Sequence, residues 1–510
     1  MTDPILSAWN TLHAIERRTL ADLFADDPDR ATKLSHRLES SLGELGSVGM
    51  LIDYSKTHLD DTALEGFEAL AAACDFAGQR EALFTGGIVN PTEGRSASHS
   101  ALRGTGPEAE VEEAAALVDR MSILVKAIHE GVFGEVKHLI HIGIGGSALG
   151  PALAVDALTR DLALVDCHIV SNIDGLALEQ AFAKCDPQTT MIAVASKTFT
   201  TTETMTNASS ALKWLRDNGV DDPSGRVIAL TANPERAVEW GVDETRILPF
   251  PESVGGRYSL WSSIGFPIAL GAGIDDFRAM LAGAKVIDTH FREAEGRENL
   301  PLLAAFADQY YTRVRGCQTR AVFAYDERLT LFPDYLQQLE MESNGKRVLH
   351  SGAEVPASTA PVTWGGVGTD AQHAVFQLLH QGTVLIPVDF IASIAPGDML
   401  DPSHHKALLM NCLAQGAALM AGKPSDDPAR AYPGDRPSTM FLVDDIDAAT
   451  LGALIAFHEH RTFANAVLMQ INPFDQFGVE LGKEIAKRLD AGEGSFDPST
   501  TALMKAAGLS

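Results

Sequence analysis

Apolar residues recur every three or four positions through much of the first 85 residues, in "ILSAWNTLHAIERRTLADLFA", "DRATKLSHRLESSLG" and "DTALEGFEALAAACDFAGQREALFTG". That spacing, broken by Asp and Gly, predicts helices. The polar stretch "NPTEGRSASHSALRGTG" interrupts the pattern, and "EVEEAAALVDRMSILVKAIHEG" predicts a further helix. The grammar then changes. Short continuous apolar runs appear, "HLIHIGIG" (138–145), "LVDCHIVS" (164–171), "TMIAVAS" (190–196) and "RVIALTA" (226–232), separated by helical stretches. Runs that are apolar at successive positions predict strands covered on both faces, as in a parallel sheet.

The Gly/Ser-rich "FPESVGGRYSLWSSIGFPIAL" ends this unit, and long helices are expected in "FRAMLAGAKVIDTHFREA" and "LLAAFADQYYTRVRG". A second strand–helix series begins with "TRAVFAYD" (319–326), continues through "GTVLIPVDFIA" (382–392) and includes "STMFLVDDI" (438–446). The pattern predicts two α/β units, each with a parallel sheet, inside helical extensions. The Pro/Asp-rich "GKPSDDPARAYPGDRPS" reads as a surface loop.

Composition narrows the function classes. The chain has 510 residues, enough for several domains, and 45% of them are hydrophobic, as in a globular fold. A formal charge of -28 argues against a nucleic-acid or anionic-membrane partner. It does not exclude a small anion held by a few convergent donors. The five cysteines show no C-x-x-C and no zinc-like spacing with histidine, so they read as core thiols of a reducing compartment. No signal peptide or bilayer-length apolar run is evident, and a cytoplasmic protein without a membrane partner is expected.

Five stretches carry candidate chemistry. "HIGIGGSALG" places His141, Gly143, Gly145, Gly146 and Ser147 between a strand and a helix, where backbone N–H groups can meet an anion. Ala148 stands where G-x-G-x-x-G needs glycine, and no Walker lysine follows. "ASKTFTTTET" offers Ser196, Lys197, Thr198, Thr200, Thr201 and Thr202 just past another strand. Hydroxyls and one ammonium suit a phosphomonoester. "VGGRYSLWSSIG" sets Arg257 behind two glycines. Ahead of "LQQLEMESNGK", Pro333 opens a helix that Ser343-Asn344-Gly345 closes, leaving Glu342 in the last turn. There the partial negative charge of the helix end disfavours a carboxylate and suits a proton acceptor. Glu340, two positions back, faces elsewhere. In "NPFDQFGVELGKEIAKRL", Gln476 and Lys483 would share a helix face. His373, His380, His404 and His405 lack a third partner at metal spacing, and "FHEHR" is too tight for H-E-x-x-H.

Together "HIGIGGSALGP", "SNIDG", "ASKTFTTTET", "GGRYSLWSSIG", "MESNGK", "QHAVFQLLHQG", "HHKALLMNCLAQ" and "FDQFGVELGK", in this order along nearly the whole chain, resemble the glucose-6-phosphate isomerase (phosphoglucose isomerase) family. The near-N-terminal "DYSKTHLD" and "TEGRSASHSALR" fit as well. The resemblance implies an α/β fold of two sugar-isomerase-type (SIS) three-layer αβα domains with parallel sheets and helical N- and C-terminal extensions. Residues 1–112 would form a helical extension packed on the second domain, 113–275 the first domain with the phosphate loops, and 276–510 the second domain with C-terminal helices. It implies interconversion of glucose 6-phosphate and fructose 6-phosphate, a step of glycolysis and gluconeogenesis, with no metal or organic cofactor, in a homodimer whose sites lie at the subunit interface.

By motif match, Glu342 is the base, Arg257 steadies the intermediate, His373 of the partner subunit assists ring opening, and Lys483 lies near the ring oxygen with Gln476 beside it. Gly146, Ser147, Ser196, Lys197, Thr198, Thr201 and Gln338 would bind substrate. The sequence departs from the family pattern at Ala148, where an acid is usual, at Asp370-Ala371 and at Gly416-Ala417. A broader isomerase acting also on mannose 6-phosphate, and a sugar-phosphate-binding regulator without catalysis, are the other readings. The regulator would need the phosphate residues but not Glu342, His373 and Lys483.

Overall fold

The computed structural model describes residues 3–509 and is built on two sheets. The first contains β3 (His138–Ile142), β4 (Asp166–Val170), β5 (Thr190–Ala195), β6 (Val227–Thr231) and β7 (Ile247–Pro249), all parallel, in the order β4-β3-β5-β6-β7. These are the four apolar runs of the sequence plus one short edge strand. Every residue of β5 and β6 is buried, as expected of strands covered on both faces. Helices Leu149–Thr159 and Thr202–Asp217 leave from the carboxyl ends of β3 and β5.

The second sheet is mixed. Strands β8 (Thr319–Tyr325), β9 (Val362–Val367), β10 (Val388–Ser393) and β11 (Ser438–Val443) run parallel. A hairpin of β1 (Ser35–Ser41) and β2 (Ser47–Asp53) adds antiparallel to β11, giving the order β1-β2-β11-β10-β8-β9. The hairpin corrects the helical reading of "DRATKLSHRLESSLG". Helix there ends at Lys33, and from His36 the half-buried His36, Leu38 and Ser40 alternate with exposed Arg37, Glu39 and Ser41. Pairing with the largely buried β2 decides the conformation, which local propensity did not. Strand β9, "VTWGGV", carries two glycines that mask its signal in the sequence.

Helices Ile274–Glu293 and Ala448–Met469 pack against each other at the centre, and every residue of the second is buried. Its "HEHR" run is therefore structural. Glu459 accepts from Trp261 at 2.9 Å and from Arg103. His460 lies 2.6 Å from Asp288. Arg461 donates to Asp308 at 2.6 Å and to Asp389 at 2.7 Å. Arg320 also pairs with Asp389, so these charges are compensated far from water. Among the described residues no helix is long and apolar enough to cross a membrane.

Candidate active site

The order of the first sheet reverses direction between β3 and β5, and a crevice is expected outside their carboxyl ends at that point. Both hydroxyl-bearing turns sit there, because Ile142 and Val194 pair across the two strands immediately before them. After β3 the chain turns through Gly145, whose φ of +57° is left-handed, into a short helical turn ending at Ser147. The turn is held from below by His141, whose Nε2 donates to the Ser147 carbonyl at 2.7 Å. Burial pushes that imidazole down to about 4, so the ring stays neutral. Gly146 lies directly against the backbone of Gly256 and Arg257. A Cβ at this glycine would come within 2.1 Å of the Gly256 carbonyl carbon.

After β5, Phe199 adopts a left-handed φ of 54° and buries its ring, while Thr198 and Thr200 on either side are exposed with their hydroxyls 2.8 Å apart. Ser196 Oγ and Thr201 Oγ1 are 3.1 Å apart. Helix Thr202–Asp217 begins without a side-chain cap, so its first N–H groups are available to an anion. The Lys197 ammonium donates to the carbonyls of Glu252 at 2.6 Å and Val254 at 3.1 Å. Burial, then the neighbouring charge of Arg95, pushes Lys197 down to about 8.

Glu342 approaches the same crevice from the second half of the chain. Pro333 does open the helix, which then widens into a π-helical segment, Gln337–Glu342. Such segments recur at functional sites because they re-aim a side chain. One Glu342 oxygen lies 3.2 Å from Arg257 Nη1, and the other accepts from Gln338 Nε2 at 2.8 Å. Gln338 in turn rests against the Gly145–Ser147 turn, its Nε2 3.0 Å from where a Cβ on Gly145 would be. Glu340 points away into the core, pairing with Arg320 and accepting from Thr363 at 2.6 Å. Burial would raise its carboxyl, but Arg320 and His458 hold it far below the usual carboxylate range.

Arg257 is 3% exposed, which rules out a surface salt bridge. Its Nε donates to Ser343 Oγ at 2.7 Å, Nη1 to Gln476 Oε1 at 3.1 Å and Nη2 to the Asp475 carbonyl at 3.1 Å. One guanidinium therefore ties the Gly255–Gly256 segment, the Glu342 helix and the C-terminal segment together. A cavity of about 700 Å³ opens beside it, lined by Thr92, Met341, Glu342, Lys346, Gln476 and Phe477 among others.

A model of the phosphoglucose isomerase family matches residues 53–504. This chain belongs to the phosphoglucose isomerase family. It is 71% identical to the glucose-6-phosphate isomerase of Erythrobacter litoralis, with 100% of both chains covered. It is 66% identical to that of Novosphingobium aromaticivorans over 98% of each. A crystal structure of a glucose-6-phosphate isomerase from Chlamydia trachomatis is similar over 100% of this chain and 99% of that one. The TM-score is 0.88 at 28% identity.

The phosphoglucose isomerase motifs are not all gathered within one chain. Glu342, Arg257, Gln338 and Gln476 form one connected group, and Gly146 and Ser147 adjoin it. His373 is exposed on helix Asp370–Ala374, and Lys483 is exposed on helix Glu480–Asp490. Among the described residues neither makes a hydrogen bond or ion pair with that group. The shared helix face expected of Gln476 and Lys483 is not formed. Gln476 precedes the helix, with φ −151° and ψ 38°, and its side chain is turned to Arg257.

Sequence reasoning missed four residues of the group. Ser343 Oγ accepts from Arg257 Nε and lies 2.9 Å from the Tyr258 hydroxyl. Lys346 donates to the Glu342 carbonyl at 3.0 Å and pairs with Asp475 at 2.9 Å. Ser343 and Lys346 lie inside the "MESNGK" stretch and Tyr258 and Asp475 inside the other quoted motifs, so the signal was present without the contacts.

Proposed function

We propose that this chain interconverts D-glucose 6-phosphate and D-fructose 6-phosphate by ring opening followed by proton transfer between C1 and C2. Family membership and the high identity to glucose-6-phosphate isomerases support the reaction. The observation that carries the mechanism is the position of Glu342, one oxygen toward Arg257 and the other toward Gln338, beside the turn of Gly146 and Ser147.

The substrate phosphate is assigned to the hydroxyls of Ser147, Ser196, Thr198 and Thr201, with Gly146 backbone and the charge of Lys197 adding to them. Gln338 spans the distance from this turn to the reacting carbons. In the open sugar, the Glu342 carboxylate removes the proton from C2 of the aldose and returns it to C1 through a cis-enediolate. One carboxylate serves because both carbons present the same face. As charge grows on the substrate oxygens, the Arg257 guanidinium is already fixed by Ser343, Gln476 and Asp475, so no reorganisation is needed.

Ring opening needs a proton donor at the ring oxygen and an acceptor for the anomeric hydroxyl proton. His373 and Lys483 are assigned to this step. Both are exposed and separate from the Glu342 group within one chain, which favours an arrangement in which His373 enters the site of a second copy. The functional unit is then a homodimer acting in the cytoplasm. A coupled assay that converts fructose 6-phosphate to glucose 6-phosphate, with chelator present, tests the reading. Steady turnover is expected, and a strict metal requirement would overturn it.

A further inference from the structure

The other end of the first sheet holds a second constellation. His138 opens β3, and His168 lies in β4, where it pairs with Ile140. Residues 138, 140 and 168 therefore share one face of the sheet. Cys185 follows helix Gly175–Phe182 and packs against that face. One donor atom from each of His138, His168 and Cys185 lies within 4.8 Å of the others. We propose that these three residues form a binding site for a thiophilic divalent cation, with zinc the best fit.

Three observations converge on it. Nδ1 of His138 and Nε2 of His168 are both buried without a hydrogen-bond partner. Buried polar atoms are seldom left so, and each calls for a partner. The donor set is two imidazoles and a thiol, the combination zinc prefers over oxygen-seeking calcium or magnesium. The Asp166 carboxylate, 3.8 Å from His138 Nδ1 and mostly exposed, stands where it can supply a fourth donor.

The geometry needs little change. Bond lengths of about 2.0–2.3 Å in a tetrahedral zinc site put its donors roughly 3.3–3.8 Å apart. The donors lie within 4.8 Å of one another, so the remaining difference is of the size that side-chain rotation spans. The unpartnered Nδ1 of His138 and Nε2 of His168 are placed to coordinate. A bound cation would draw off the thiol proton, which leaves to solvent as the sulfur–metal bond forms.

The site is separate from the isomerase crevice. It lies at the amino ends of β3 and β4, roughly 15 Å along the strands from the Ser147 turn. A cation there would clamp the edge strand β4 and the segment after helix Gly175–Phe182 to the sheet. Its role is structural, and the isomerisation chemistry does not pass through it.

The untagged full-length chain, freed of metal, is titrated with Zn²⁺ against a chromogenic chelator, and its Co²⁺ form is examined by absorption. The expected result is about one equivalent of zinc per chain. Cys185→Ser and His168→Gln each weaken binding by roughly 10-fold or more, and the exposed control His404→Gln leaves it unchanged. Isomerisation by Cys185→Ser should match the parent, which also reports that the variant is folded. The parent's Co²⁺ spectrum should contain a sulfur-to-cobalt charge-transfer band. Absence of binding, binding unchanged in both variants, or a Co²⁺ spectrum without that band would overturn the assignment.

Discussion

The Arg257 guanidinium lies 3.2 Å from the Glu342 carboxylate and is fixed on its other sides by Ser343, Gln476 and Asp475. Arg257 follows the last strand of the first sheet and Glu342 follows β8 of the second, so the pair also joins the segments that leave the two sheets. Arg257→Lys keeps a positive charge but cannot span these partners. It should lower kcat by about 10²–10³-fold, with a smaller effect on KM. Steady-state kinetics decide this, and a lysine variant close to the parent would remove the arginine from transition-state stabilisation.

Lys197 gives a pH signature. Burial has pushed its ammonium down to about 8, so it is charged below that pH and neutral above it. Attraction for the substrate phosphate is therefore complete below about pH 7 and lost as pH rises through about 8. The profile of kcat/KM, which reports the free enzyme, should be flat on the acid side of this point and fall beyond it. Lys197→Arg stays charged throughout, so the fall should move out of the measured range. Identical alkaline limbs in the two proteins would assign that limb to another group.

His373 and Lys483 test the two-copy site. His373→Ala and Glu342→Gln should each be nearly inactive alone. If His373 acts across an interface, refolding equal amounts together should restore roughly a quarter of parental activity, because mixed dimers regain one complete site. No recovery would put both residues in one chain's site. Lys483→Met should lower turnover of the cyclic sugar more than that of substrate already open.

The buried charges make a stability prediction. Arg320 pairs with both Glu340 and Asp389 and is 2% exposed. Arg320→Met leaves Glu340 without its arginine and Asp389 with Arg461 alone, and should cost about 3–5 kcal/mol. Chemical denaturation measures the loss, while kcat per folded molecule should hardly change. A comparable loss of kcat in fully folded protein would mean that this network positions Glu342.

Much of this architecture was legible because buried parallel strands are apolar at every position, as "TMIAVA" and "VIALT" show. Hydroxyl-bearing turns after two such strands marked one side of the crevice. Strands β1 and β9 were not legible. The first depends on pairing with β2, and the second is diluted by glycine. Glu342 was legible as a helix-end acid, but the π-helical turn and the Gln338 contact arise from packing. Gln476 was misplaced because periodicity runs through "FDQFGVELGK" while the helix begins only at Glu480. The His138–His168–Cys185 group was hidden by wide sequence separation, since only strand register brings it together.

Proton transfer by Glu342 is the central claim, and isotope transfer reads it most directly. Glucose 6-phosphate carrying deuterium at C2 is incubated with the parent and with Glu342→Gln, and label at C1, C2 and in solvent is followed by NMR. The parent should move label from C2 to C1 and lose part of it to water. Glu342→Gln should do so about 10²–10⁴-fold more slowly while still binding the sugar phosphate, as followed by thermal shift. Parental rates of label transfer in Glu342→Gln would contradict the account.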